Sequence, residues 1–129
     1  MNNQVSHTEE KILLAACKVF LHFGFHGTKT QQIALEACVN KSLIHYYFRS
    51  KEQLYANVIG YLFERILNEP FKLSGKETAE IAWFFSTEFY NNKMLLEKAA
   101  FRIYGDGALK NISEIRNWLV SAGFVNVVL

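Results

Sequence analysis

The chain has 129 residues, of which half are hydrophobic and 15% aromatic, and its formal net charge at pH 7 is +2. This apolar content suffices for a buried core and excludes wholesale disorder, while a single proline and seven glycines argue against a turn-dense all-β fold. The length suits one domain or two small helical units, and the small net charge does not by itself indicate a nucleic-acid partner.

The first predicted element is a helix over about 8–23. Ser6 or Thr8 can cap its start, and Gly24 suits its end. Its apolar stripe consists of Ile12, Leu13, Ala16, Cys17, Phe20 and Phe23. A tight connector over residues 24–28 follows, and its last residue, Thr28, is the predicted cap of the next helix.

Two short helices and one long helix follow. The second helix is predicted over about 29–37, with an inward face of Ile33, Ala34 and Ala37. Asn40 can cap a third helix over about 41–47 that buries Ile44 and Phe48. Ser50 can cap a fourth helix over about 51–68, whose stripe is Leu54, Val58, Leu62 and Ile66.

Further helices are predicted after Pro70, which ends the fourth helix or follows its end. One helix is predicted over about 76–91, with Ile81, Phe84, Phe85 and Phe89 inward. The next, over about 93–104, would bury Leu95, Ala99 and Ile103. A glycine-rich break over residues 105–107 precedes a last helix over about 111–122, capped by Asn111 or Ser113, that holds Ile115, Trp118 and Leu119 and is closed by Gly123.

The second and third helices, braced by the first, form a predicted helix-turn-helix. Residues 22–51 carry Lys29, Lys41, Arg49 and Lys51 against a single acidic residue. A short helix fits the major groove of DNA, and residues at its start reach base edges or phosphates. This pattern favours DNA binding by the first half of the chain.

Residues 9–58 resemble the DNA-binding domain of TetR-family transcriptional regulators. The resemblance is carried by the gapless run ILLAACKVFLHFGFHGTKTQQIALEACVNKSLIHYYFRSKEQLYANVI. Its most telling residues are Phe20, Gly24-Phe25, Gly27-Thr28, Thr30, Ile33-Ala34, Ala37, Val39, Lys41, Tyr46-Tyr47-Phe48, Ser50-Lys51-Glu52 and Leu54. Beyond about residue 60 the chain is similar to the family only in its helical pattern.

The resemblance implies an all-α fold and a homodimeric, repressor-type regulator that binds a palindromic operator on double-stranded DNA. It implies a helix-turn-helix domain over residues 1–50, joined by the long fourth helix to a short helical effector and dimerisation region over 51–129. The implied DNA-binding residues are Thr30, Gln31, Lys41, Ser42, Leu43, His45, Tyr46, Tyr47 and Lys51. A small apolar effector is implied in the second region, and the aromatic residues expected to line its site are Trp83, Phe85, Phe89, Phe101 and Tyr104.

Three residues depart from the family pattern. Cys38 stands in the turn where the family usually has glycine, so we expect either an altered turn or a strained residue at positive φ. Leu43 stands where threonine is common and His45 where tyrosine is common. The operator sequence therefore is not inherited from any relative.

The sequence lacks the motifs of several other function classes. The chain has no Ser/His/Asp pattern, no glycine-rich phosphate loop and no usefully spaced carboxylate pair, so we do not expect an enzyme. Two cysteines without metal-ligand spacing predict no zinc site, and we expect no cofactor. The sequence shows no signal peptide and no membrane-length apolar run, which favours a cytoplasmic location with no membrane partner. The alternative is a helical protein-interaction module that does not bind DNA.

The C-terminal residues are the predicted dimer contact. The end of the chain is apolar. A large exposed patch would be formed by Trp118, Leu119, Phe124, Val125, Val127, Val128 and Leu129. We therefore expect residues 112–129 to be covered by a second subunit, or by a neighbouring molecule in a crystal.

Overall fold

A computed structural model describes residues 6–124, and all regular structure in that range is helical. The α-helices are α1 (His7–Gly27), α2 (Thr30–Ala37), α3 (Lys41–Phe48), α4 (Lys51–Asn68), α5 (Gly75–Asn91), α6 (Lys93–Tyr104) and α7 (Ala108–Ser121). Short 3-10 turns occupy Pro70–Lys72 and Gly105–Gly107. The all-α prediction is confirmed.

The chain divides into two compact units, one ending at Val58 and the other beginning at Ile59, so the division falls within α4. In the described part of the chain, no helix has both the length and the apolar character of a membrane span. Nor do residues 6–124 contain a group of three or more His, Cys, Asp or Glu side chains that could hold a metal ion.

Side-chain caps fix several helix starts at the positions that the sequence predicts. Ser6 accepts a hydrogen bond from the backbone N–H of Glu9 at 3.0 Å, and Ser50 accepts one from Gln53 at 3.0 Å. The prediction that Thr28 caps the start of α2 was wrong, because Thr28 is the C-cap residue of α1. Its buried hydroxyl donates to the carbonyl oxygen of Gly24 at 2.7 Å, which closes the connector instead. The start of α2 is satisfied by the Gln32 side chain, which accepts from the Lys29 N–H at 2.7 Å.

The core of the first unit contains most of the predicted apolar stripes. Ile12, Ala16 and Phe20 are fully buried, and so are the inward faces of α2 and α3. Phe23, by contrast, is 48% exposed, so its prediction as a core residue was wrong. Position 23 lies about 60° around a helix from position 20, at the edge of the buried face.

The second unit has a core built from the end of α4 and from α5, and there the predicted inward faces are confirmed. In α6 the register differs: the buried residues are Leu96, Ala99 and Ala100, whereas Leu95 is only partly buried and Ile103 is 37% exposed. Helix α7 begins at Ala108 rather than near 111, without a side-chain cap. Leu119 is completely buried within the unit, so it does not belong to the exposed patch expected near the C-terminus. Residues 125–129 of that patch lie outside the described residues.

Candidate nucleic-acid interface

Helices α2 and α3 form the expected helix-turn-helix. Ile33 and Ala37 of α2 and Ile44 and Phe48 of α3 are buried, which fixes both short helices on the first unit's core. Asn40 caps α3, because its Oδ1 accepts from the backbone N–H of Ser42 at 3.0 Å. This capping hydrogen bond defines where α3 begins.

The turn between these helices contains the residue that the sequence singles out. Cys38 has φ 57° and ψ 45°, the left-handed conformation. Its N–H donates to the carbonyl oxygen of Leu35 at 3.2 Å, and the N–H of Val39 donates to that of Ala34 at 3.0 Å. These two bonds make a Schellman motif, which ordinarily takes glycine at this position. Of the two predicted alternatives, the second is therefore found: the turn has ordinary Schellman geometry, and the exposed Cys38 adopts the positive φ.

The outer surface of α3 carries most of the sequence-predicted contact residues. Lys41, Ser42, Leu43, His45 and Tyr46 are exposed, and Tyr46 is 68% accessible. Tyr47 is partly buried and its ring meets that of Tyr46 edge to face, with centroids 5.0 Å apart. At the start of α2, Gln31 is exposed and Thr30 is partly buried. The exposed residues of α3 mix cationic, hydroxyl, imidazole and phenol groups with one leucine, which is suitable chemistry for phosphates and base edges.

The charge of this region is less balanced in the fold than in the sequence. Glu36, the one acidic residue of segment 22–51, pairs with Lys18 at 3.0 Å. Within residues 6–124, no salt bridge engages Lys29, Lys41, Arg49 or Lys51. These four side chains therefore retain their charge for a partner anion.

Lys51 differs from the other three cations because its ammonium has a defined neighbour. Its Nζ lies 4.2 Å from the ring centroid of Phe25. Partial burial lowers the pKa of Lys51, and the nearby Glu52 carboxylate acts in the opposite direction.

Comparison with known proteins decides the family. Residues 12–58 match the family described as bacterial regulatory proteins, tetR family. A crystal structure of a HlyIIR mutant protein in which a segment is replaced by a linker is 32% identical, with a TM-score of 0.57. That similarity covers 90% of this chain and 72% of the other. The chain belongs to the TetR family.

Two curated HTH-type regulators are similar to part of the chain. The HTH-type transcriptional regulator RutR of Escherichia coli K12 is 42% identical over 78 residues, which are 60% of this chain and 36% of RutR. The HTH-type transcriptional repressor NicS of Pseudomonas putida is 42% identical over 60 residues, 46% of this chain and 28% of NicS. The chain thus spans about a third of the length of the curated relatives it matches.

The aromatic residues expected at an effector site differ widely in burial. Phe85 and Phe89 are buried in the core of the second unit, with ring centroids 6.5 Å apart. Tyr104 is partly buried, stacks on Phe63 at 5.9 Å and donates to the Glu64 carboxylate at 3.4 Å. The remaining two are mainly exposed: Trp83 is 65% and Phe101 45% accessible.

Sequence reasoning missed two features of the first unit. The contact between Phe25 and Lys51 joins residues far apart in the chain, and no periodicity signals it. Arg49 has φ 73° and ψ −47°, and the N–H of Ser50 donates to the carbonyl oxygen of Phe48 at 2.8 Å. This γ-turn joins α3 to α4 at a strained non-glycine residue, which composition does not reveal.

Proposed function

We propose that this chain is a DNA-binding transcriptional regulator that acts as a repressor. In the proposed complex, two copies bind a palindromic operator and each inserts α3 into the major groove. The observation that carries the proposal is the outer face of α3, whose exposed residues lie in segment 22–51 together with four cations outside any described salt bridge. Membership of the TetR family and the repressor NicS among the relatives support the same conclusion.

The phosphate contacts are assigned to Lys41 and Lys51, at the starts of α3 and α4. Each neutralised phosphate releases condensed counterions, so the affinity falls with salt in proportion to the number of contacts. Replacing either lysine with alanine should weaken specific and non-specific binding alike. The slope of log affinity against log salt should shrink by about 0.9 for each lost contact in each subunit.

The measurement is a salt series of gel shifts or fluorescence anisotropy on sheared DNA and on a selected operator. Lys98→Ala is the matched control, since it removes the same charge from an exposed position of the second unit. Its slope should equal that of the wild type. Unchanged slopes in both Lys41→Ala and Lys51→Ala contradict the assignment, and binding that does not depend on salt favours a protein-interaction module instead.

Base reading is assigned to Gln31 and Leu43. Glutamine can bond bidentately to adenine N6 and N7, and leucine can pack on a thymine methyl group. Selection from randomised DNA with Gln31→Ala should relax the preference at one position of each half-site, with a loss of about 1–3 kcal/mol there. An identical preference profile would mean that Gln31 does not read bases.

The second unit is proposed to bind a small apolar effector and to contribute to the homodimer. The aromatic residues named above are the candidates for the effector site. Intrinsic fluorescence with a panel of small apolar compounds tests binding, because Trp83 is one of only two tryptophans. Sedimentation of the full chain tests the dimer, and a monomer at micromolar concentration would contradict a contact through residues 112–129.

A further inference from the structure

The backbone conformation of Gly24 and a hydrogen bond from Thr28 together fix the position of Phe25. Gly24 has φ 73° and ψ −179°, a conformation that is essentially confined to glycine, and it kinks α1 shortly before the helix ends at Gly27. The buried Thr28 hydroxyl donates to the Gly24 carbonyl at 2.7 Å and closes the connector around this bend. As a result, Phe25 is directed inward and is only 7% exposed.

Two further rings fix the plane of the Phe25 side chain. Phe20 lies parallel to it, with centroids 6.3 Å apart, and Tyr55 meets it edge to face at 5.0 Å. Phe20 and Tyr55 are themselves completely buried and in contact at 5.4 Å. The three rings therefore form a rigid cluster, and the face of Phe25 that meets Lys51 is a fixed feature of the first unit.

The ammonium of Lys51 lies over this fixed face, 4.2 Å from the ring centroid. Ring faces carry negative potential, and a cation within about 6 Å of the centroid is attracted to them. Lysine has a flexible four-carbon stem and loses rotamer freedom when it is held in one place. A contact that restricts the stem before DNA arrives reduces that entropy cost at the moment of binding.

We propose that Phe25 is a positioning residue for DNA binding, which holds the Lys51 ammonium over its ring so that the outward N–H groups meet a backbone phosphate. This inference rests on the proposed function, in which Lys51 contacts DNA. Partial exposure of Lys51 supports it, because an ammonium with one side against a ring keeps its other donors for an anion. The opposite role, competition between the ring and the phosphate for Lys51, predicts an effect of the opposite sign.

The test alters the electrostatics of the ring and leaves its shape nearly unchanged. The full chain is prepared with 3,4,5-trifluorophenylalanine at position 25, in the wild-type background and in Lys51→Ala. Fluorination withdraws charge from the ring face and so weakens its attraction for a cation. The control is the same residue at position 20, a neighbouring ring of the same buried cluster.

In the wild-type background, fluorination at position 25 should weaken affinity for a selected operator about threefold per half-site. In Lys51→Ala the same fluorination should have no effect, and neither should fluorination at position 20. A purely structural role of Phe25 would give equal losses in both backgrounds. Equal losses, no loss, or tighter binding on fluorination would each overturn the proposal.

A second measurement needs no DNA. In the free protein, the methylene protons next to the Lys51 nitrogen should show an upfield ring-current shift in NMR spectra, and those of exposed Lys98 should not. Absence of this shift would overturn the proposal even if DNA binds. If the wild type shows the shift but no salt-dependent DNA binding, the proposed function fails and the positioning role fails with it.

Discussion

Replacement of Cys38 by glycine should stabilise the first unit. The residue follows α2 with φ 57° and ψ 45°, and the carbonyl oxygens of Ala34 and Leu35 accept the two hydrogen bonds of the turn. An L-residue with a Cβ carries strain in the left-handed region, whereas glycine does not. Because the Cys38 side chain is exposed, its removal sacrifices no core packing.

The expected magnitude is the difference between two terms. A left-handed residue with a Cβ costs about 1–2 kcal/mol. Glycine also increases the conformational freedom of the unfolded chain, which lowers the free energy of unfolding by about 0.4–1 kcal/mol. The net expectation is a stabilisation of about 0.5–1 kcal/mol. Cys38→Ala is the matched control, because alanine removes the thiol and keeps the Cβ, and its unfolding free energy should stay near that of the wild type.

Urea unfolding followed by circular dichroism gives the free energy of unfolding, and an unchanged slope with urea shows that the surface exposed on unfolding is unchanged. Hydrogen exchange of the amides in α2 and α3 assigns the change to the first unit. If Cys38→Gly is no more stable than Cys38→Ala, the left-handed turn is not strained and the reasoning fails. A peroxide effect on DNA binding that Cys38→Ser abolishes would add a redox role that we do not expect.

Further predictions concern the connector, the cap of α3 and the partly buried phenol of Tyr104. Gly24→Ala should destabilise the chain by about 1–3 kcal/mol because φ is 73° there, whereas Gly75→Ala, whose new Cβ meets open space, should be neutral or slightly stabilising in the same thermal melts. Asn40→Ala should cost about 1 kcal/mol in urea unfolding through loss of the cap, and restoration by Asn40→Asp would separate capping from packing. Partial burial, reinforced by the Glu64 carboxylate, raises the pKa of Tyr104 to about 12. The protonated phenol therefore contributes fully to the free energy of unfolding below pH 10, and this contribution is lost as the pH rises from 10 to about 12. Absorbance at the tyrosinate band should show one late-titrating tyrosine that Tyr104→Phe removes, and its absence from the wild-type titration would contradict the assignment.

Local sequence predicts the order of the helices in the first unit and the character of its surface, although α1 continues past Gly24 to Gly27 and Thr28 does not cap α2. The caps at Asn40 and Ser50 are short-range hydrogen bonds between neighbours in the chain, so the residue types suffice to predict them, whereas Ser6 and Thr8 both suit the first helix and the structure selects Ser6. The inward faces of α2 and α3 follow from the helical period. Residues of α3 that do not belong to this buried face must lie on its outer surface, which is why most of the predicted contact residues are exposed.

Register at the ends of apolar stripes required the tertiary structure. Leu95 and Leu96 are adjacent leucines, and which of them is buried depends on the helices packed against α6. Phe23 is as apolar as Phe20 but lies beside the edge of the buried face. Helical periodicity locates such positions only to within one residue, because both neighbours satisfy the same pattern.

The contact between Lys51 and Phe25 was decided by the fold alone. The sequence supplies a lysine at a helix start and a phenylalanine after a glycine, each of which has an ordinary local explanation. Their meeting at 4.2 Å depends on the bend at Gly24 and on the packing of α4 against α1 through Tyr55 and Phe20. Local propensity specifies which residues form helices, whereas the relative placement of distant side chains arises when those helices bury their apolar faces together.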